Sequence, residues 1–210
     1  MSELKLRIIV GVLLAILAVC LIGIGGYVFA LSAALIAGLV FREWRGLTGS
    51  SFLWQLAGFF YALLPALALT LLRLSPNGIW LVTWIVAVTA ATDIGAFFAG
   101  RLIGGPKLWP ILSPKKTWSG LLGGMISAAI FAYLIADFAH LPFFMKVIGA
   151  PMAIIAQAGD FFESWLKRRA HVKDSGHLLP GHGGIMDRVD GLSPVALLTA
   201  ILIKIGAFAS

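Results

Sequence analysis

From Ile8 to Phe41 the chain runs for 34 residues without one charged side chain. No soluble domain can cover a stretch of that length with polar surface. A single membrane crossing needs only about 20 apolar residues, so the run is too long for one span and short for two. The cluster Gly23-Ile24-Gly25-Gly26 offers a turn, and helices over about 8–23 and 26–41 are expected. Further apolar runs follow at about 51–72, 79–100, 118–138, 147–169 and 192–208. The count is seven spans, with six to eight as the range. The fold class is all-α: a polytopic transmembrane helical bundle. Composition agrees, since 60% of the residues are hydrophobic and only 12% are charged, where soluble domains carry about 25% charge. Lys5 and Arg7 before an apolar stretch resemble a signal peptide, but no polar mature domain follows.

The charges decide the split of the first run. With the N-terminus inside, 13 of the 16 basic residues fall on the inner side: Lys5, Arg7, Arg42, Arg45, Arg101, Lys107, Lys115, Lys116, Lys167, Arg168, Arg169, Lys173 and Arg188. Only Arg73, Lys146 and Lys204 remain for the outer side and the last span. Reading 8–41 as one helix would scatter them over both faces, against the positive-inside rule. The chain therefore reads as one domain over 1–210, with N-terminal helices to residue 80. A portion over 81–210 carries two cytoplasmic loops, about 101–117 and 170–191. The net charge of +7 suits anionic headgroups or phosphate substrates as well as topology. Nucleic acid is not expected as a partner, because the cations lie between apolar spans rather than on one face. Cys20 alone gives neither a disulfide nor a metal cluster.

Ionisable groups inside spans are costly and face a cavity or a partner. Asp93 lies in the fourth span, with Arg101 two turns along the same face; a structural ion pair and a ligand site account for them equally well. The sixth span holds Asp160, Ser164 and Lys167 at i, i+4 and i+7, with Glu163 beside them. Such a stripe can hold a divalent cation with a phosphate against it, or form a plain helix-end ion pair. The following loop reads Lys173-Asp174-Ser175-Gly176, then Pro180-Gly181-His182-Gly183-Gly184, then Asp187-Arg188-Val189-Asp190. Its glycines permit positive φ and let N–H groups converge on an anion, although a simple reverse turn explains them too. Mg²⁺ favours a few carboxylates plus substrate phosphates over a closed protein cage. Zinc is disfavoured, since no His/Cys set has ligand spacing. The loop Gly104–Trp118, with Ser113, Lys115 and Lys116, is stiff and basic, either a phosphate site or a positive anchor.

Across 27 residues, from Ser164 to Asp190, these stretches resemble the diagnostic motif of the phosphatidate cytidylyltransferases, or CDP-diacylglycerol synthases. Asp93-Ile-Gly-Ala with Gly100-Arg101, Ser113-Pro-Lys-Lys-Thr117, and the early Gly25-Gly26 and Glu43-Trp44 are similar as well. The chain is shorter than is usual for that family, with the shortfall most simply placed around 48–80. Phe97, Ser119 and Gly191 stand where Tyr, Glu and Ser are common. The resemblance implies transfer of a cytidylyl group from CTP to phosphatidate, with release of pyrophosphate. It implies a Mg²⁺-dependent enzyme, with a second, monovalent cation such as K⁺, at the inner face of a bacterial plasma membrane. It implies metal binding by Asp160, Asp187 and Asp190. Lys115, Lys116, Lys167, Lys173 and Arg188 would neutralise phosphates, and Ser113 and Ser164 would donate to them. Gly181, Gly183 and Gly184 would cradle CTP, with Asp174 and His182 close to the reaction. Asp93 and Arg101 stay undecided. The rivals are a transferase or kinase acting on another lipid such as an isoprenoid, an inactive homologue, and a cation transporter. Transport predicts acids spread through mid-membrane, whereas here they crowd one edge. Gly120-x-x-x-Gly124 is the one hint of a homodimer.

Overall fold

The structure is a computed structural model that describes residues 3–179 and 181–206. Pro180 and the end of the last expected span, to residue 208, lie outside them. Five helices are long and apolar enough to cross a membrane. They are α1 (Glu3–Ile24), α2 (Gly26–Thr48), α3 (Phe52–Leu74), α4 (Gly78–Leu102) and α5 (Trp118–Phe138). After the short α6 (Phe143–Val147) come α7 (Gly149–Arg169), α8 (Met186–Val189) and α9 (Leu192–Lys204). Helices thus occupy all seven apolar runs, but they are not seven equivalent spans. The second half of α7 is polar. At 1.5 Å per residue, the 13 residues of α9 reach about 20 Å, short of a hydrocarbon core about 30 Å thick.

The break in the first run falls at Gly25, where φ is +65°. Arg73, at the end of α3, explains why it must be there. Its guanidinium donates to Ile22 O at 2.7 Å and to Gly23 O at 3.2 Å, which satisfies carbonyls left over at the end of α1. A Cβ on Gly25 would stand 2.3 Å from that guanidinium. The α1–α2 and α3–α4 turns therefore meet at one end of the bundle.

The glycines of α5 are used inside the chain. A Cβ at Gly123 would meet the Ala99 side chain at 2.2 Å, and one at Gly124 would meet Thr92 O at 2.9 Å. Gly95 on α4 faces Ser127 and Gly123 in the same way. The Gly120-x-x-x-Gly124 pattern is thus used in the α4–α5 contact within the chain. Ala128, Ala132 and Ala136 continue that face, fully buried with Trp84, Ile85 and Val88 of α4. The Trp84 indole donates to Ala132 O at 3.1 Å. Outward, Leu13, Leu31, Leu71, Ile126 and Leu134 are exposed, as lipid-facing side chains are.

One element departs from an all-α reading. The basic loop is an antiparallel hairpin, β1 (Lys107–Trp109) with β2 (Ser113–Thr117), pairing Lys107 with Thr117 and Trp109 with Ser113. Its strands have only three and five residues, with Pro110 directly after the first and Pro114 inside the second, so no two-residue alternation was there to be read. Thr117 closes the hairpin and caps α5, accepting from Gly120 N at 3.1 Å.

Candidate active site

At the end of the bundle opposite Gly25, the 173–190 segment folds around two carboxylates. One comes from α2. Glu43 accepts the backbone N–H groups of Ile185 and Met186, both at 2.9 Å, and the Ser175 hydroxyl at 2.8 Å. The other is Asp187. Its Oδ2 accepts Ser175 N, Ser175 Oγ and Gly184 N, each at 2.9 Å, and its Oδ1 takes the Lys167 ammonium at 2.5 Å. The glycines make room for these carboxylates. A Cβ at Gly184 would lie 2.3 Å from Glu43 Oε2, and one at Gly183, where φ is +80°, would lie 2.8 Å from Asp187 Oδ2. Gly181, at φ +74°, admits the Arg7 side chain of α1. The glycine turn does gather N–H groups on anions, and those anions are the protein's own.

Lys167 bridges Asp187 and Glu163, the latter at 2.9 Å and with no exposed side-chain surface. Burial alone would raise the Asp187 carboxyl. Its contacts with Glu163 and Lys167, and the N–H groups of Gly184 and Ser175, outweigh that and hold it well below the usual carboxylate range. Asp187 therefore stabilises the loop above the ordinary aspartate pKa, about 3.9. That contribution fades only as pH falls toward the depressed folded value.

Beside this clasp stands a less compensated group of acids. Gly159 of α7 lets the Asp190 carbonyl approach closely, since a Cβ there would sit 2.3 Å from it. Asp160 on the next position thereby faces Asp190. Burial first, and then the Asp160 carboxylate, push Asp190 up to about 7, with Asp93 adding to the effect. Asp160 is paired with Lys116 of the hairpin and accepts the Ser164 hydroxyl at 3.3 Å. Lys116 also lies over the Phe161 ring, 4.6 Å from its centre. Asp93 lies at one wall of a cleft of about 420 Å³ between α4, α5 and the hairpin, which Arg101, Lys107, Lys115, Lys116 and Gln157 also line. Four cations around one cleft suit a polyphosphate.

A raised carboxyl pKa means that ionising Asp190 costs folding free energy as pH climbs from the unfolded value through 7. Asp190→Asn is therefore expected to raise the Tm in detergent with EDTA at pH 8. The gap from the parent should narrow toward pH 5, as thermal melts at the two pH values would read.

Residues 47–206 match the model of the cytidylyltransferase family. This chain belongs to that family. A phosphatidate cytidylyltransferase of Brucella suis biovar 1 (strain 1330) is 45% identical over 170 residues, 78% of this chain and 62% of the relative. One of Brucella melitensis biotype 1 matches to the same extent. One of Rickettsia felis is 36% identical over 214 residues, covering 96% of this chain and 94% of the relative. The chain thus spans 62% of the length of the Brucella relatives and nearly all of the Rickettsia one.

Within this cytidylyltransferase-family chain, the expected residues divide into three groups. Asp187, Lys167, Gly183 and Gly184 form the clasp, with Asp174 packed behind Gly183. Asp160, Asp190, Ser164, Lys116 and Asp93 form the second group, and Lys115, Arg101 and Ser113 border it on the cleft or hairpin. His182 and Arg188 line a separate apolar groove, and Lys173 is exposed. One expectation is corrected. Lys167 leaves the Asp160 stripe for Glu163 and Asp187, because an i, i+4 partner is nearer than one at i+7; Lys116 takes Asp160 instead. Of the two readings left open for Asp93 and Arg101, the ion pair does not occur among the described residues; Arg101 lies over Phe97 at 5.9 Å. Sequence reasoning did not place Glu43 in the site. Its signals were a lone carboxylate near one end of an apolar helix and the similarity of Glu43-Trp44 to the family's opening helices.

Proposed function

We propose that this chain transfers the cytidylyl group of CTP to phosphatidate, giving CDP-diacylglycerol and pyrophosphate. The observation that carries the reading is the acid group of Asp93, Asp160 and Asp190, set between a cleft ringed by four cations and an apolar groove lined by Arg188. It is supported by the names of the Brucella and Rickettsia relatives. In this reaction a phosphate oxygen of phosphatidate attacks the α-phosphorus of CTP. The bond from the α-phosphorus to the bridging oxygen breaks, and pyrophosphate departs with that electron pair. The attacking oxygen is already anionic, so no base need remove a proton. What the protein must supply is alignment and charge neutralisation. Arg101, Lys107, Lys115 and Lys116 would hold the triphosphate, and Arg188 would meet the lipid phosphate. Lys167, fixed between Glu163 and Asp187, would keep the glycine loop in place behind them.

Among the described residues no three His, Cys, Asp or Glu side chains form a ready cage for a metal. The donor set nevertheless fits Mg²⁺, because hard, mutually repelling carboxylates need a hard cation that also takes phosphate oxygens. Asp160 and Asp190 would hold it, with the lysine-facing oxygen of Asp187 at the edge, and K⁺ would be a second occupant. Bound there, Mg²⁺ would polarise the phosphates and draw charge toward the leaving pyrophosphate. The polar end would face the cytoplasm, where CTP is found, with the N-terminus inside, seven membrane-embedded helices, and the bacterial inner membrane as host.

The test is purified protein with CTP and Mg²⁺, offered either phosphatidate or a polyprenyl phosphate. A cytidine lipid from phosphatidate alone is expected; product from the polyprenyl phosphate alone would replace the substrate. Lys115→Ala is expected to raise the KM for CTP about tenfold, the scale of one lost charge contact to phosphate, and an unchanged KM would return the hairpin to a topological anchor.

A further inference from the structure

A second cavity, of about 500 Å³, runs between α1, α2, α3 and α9 and is almost wholly apolar. Its length can be read from α1. Gly11 and His182 line one end, where a Cβ on Gly11 would stand 3.5 Å from the His182 ring, and Ile22 lines the other. Eleven residues at 1.5 Å each give about 16 Å, a reach suited to an extended hydrocarbon chain. The end at Gly11 differs from the rest. Arg188 lines it, and so do His182 and Tyr61, whose Nδ1 and hydroxyl are buried with no hydrogen-bond partner. Buried polar atoms without partners are rare in native structures and ask for a ligand. Tyr61 also lies within electrostatic reach of Asp190 and Glu163, which puts this mouth beside the acid group.

We infer that this groove holds one acyl chain of the lipid substrate, with its anionic phosphate at Arg188, His182 and Tyr61, and that the groove's depth selects chain length. The inference rests on the proposed reaction for its substrate class. Charge complementarity selects the occupant: a neutral lipid leaves Arg188 and both unpartnered atoms unanswered, whereas a phosphate monoester accepts from all three. The tyrosine hydroxyl donates, and His182 donates in the tautomer protonated on Nδ1. The chain below then lies against Ala18 of α1 and Ala33 of α2, whose small side chains keep the deep half open.

Two measurements test this. In the first, phosphatidate with a diazirine near the end of one acyl chain is photolysed with the full-length protein in nanodiscs, without CTP. Adducts are expected on the deep-groove positions of α1 and α2, competed away by dioleoyl phosphatidate and not by phosphatidylcholine. Adducts confined to outward residues such as Leu31 and Leu35 would overturn the groove assignment. In the second, Ala33→Phe on α2 and Ala18→Phe on α1 fill the deep half. Each is expected to lower kcat/KM for dioleoyl phosphatidate about tenfold or more, as excluding methylenes from a fitted pocket does. Turnover of dioctanoyl phosphatidate and the KM for CTP should hold. Equal losses for both lipids, or none for either, would contradict a length-selecting groove. If the parent makes no cytidine lipid, the reaction assignment fails, while the photolabelling, which needs no turnover, still judges the groove alone.

Discussion

Asp187→Asn is expected to abolish product formation, a loss of at least about 100-fold, the scale for removing one preorganised electrostatic group from a reaction centre. The substitution keeps the shape of the side chain and removes its charge. Lys167 then keeps only the buried Glu163 carboxyl as a partner, and the donors on Oδ2 face a neutral amide. One Asn group can meet some of those bonds but not all, since its NH₂ half repels N–H donors. Because the apolar helices α1–α5 do not depend on this carboxylate, helix content and elution in detergent should match the parent. Turnover measured beside far-UV circular dichroism checks both halves. Substantial activity in a folded Asp187→Asn variant would mean that the clasp is ornamental.

Glu43→Ala is expected to be nearly as severe, for a different reason. Three donors from 132 to 143 residues away converge on that one carboxylate. The Ser175 hydroxyl still has Asp187, but leaving the N–H groups of Ile185 and Met186 buried and unanswered costs on the order of 1–3 kcal/mol for each that cannot reach water. The hydrophobic cluster beneath, with Trp44, Leu166 and Met186, would hold the helices while the 173–190 loop loosens. Hydrogen exchange should therefore rise sharply over that loop and stay low across α4 and α5. Turnover should fall in step. Glu43→Gln, which keeps acceptor oxygen without charge, should recover part of both. Parent-like exchange in the alanine variant would show that the loop is held by something else.

The contrast between these two residues explains what could be read from the chain beforehand. Asp187 sits in a dense local pattern of glycines and charges, where spacing alone singles out the loop. Glu43 does not. Whether a carboxylate at a helix end turns inward depends on what arrives from far along the chain, and no periodicity encodes that. The helices were legible because membrane spans need long apolar runs, and the break at Gly25 because the charges made sense only with a turn there. The hairpin was hidden by its prolines and short strands. The Ser164–Asp160 contact was legible as an i, i+4 pair. The pairing of Lys116 with Asp160 was not, since the hairpin had first to be folded back over α7.

The proposed reaction breaks the bond between the α-phosphorus of CTP and the bridging oxygen, and not the bond to the γ-phosphorus. CTP labelled at the α-phosphorus should be incubated with the purified protein, Mg²⁺ and phosphatidate, and the lipid and aqueous phases separated. Label is expected in the lipid, with one pyrophosphate released for each cytidine transferred. Label left entirely in water as CDP, with the γ-phosphate passed to the lipid, would mean phosphoryl transfer by a kinase and would contradict the proposed reaction.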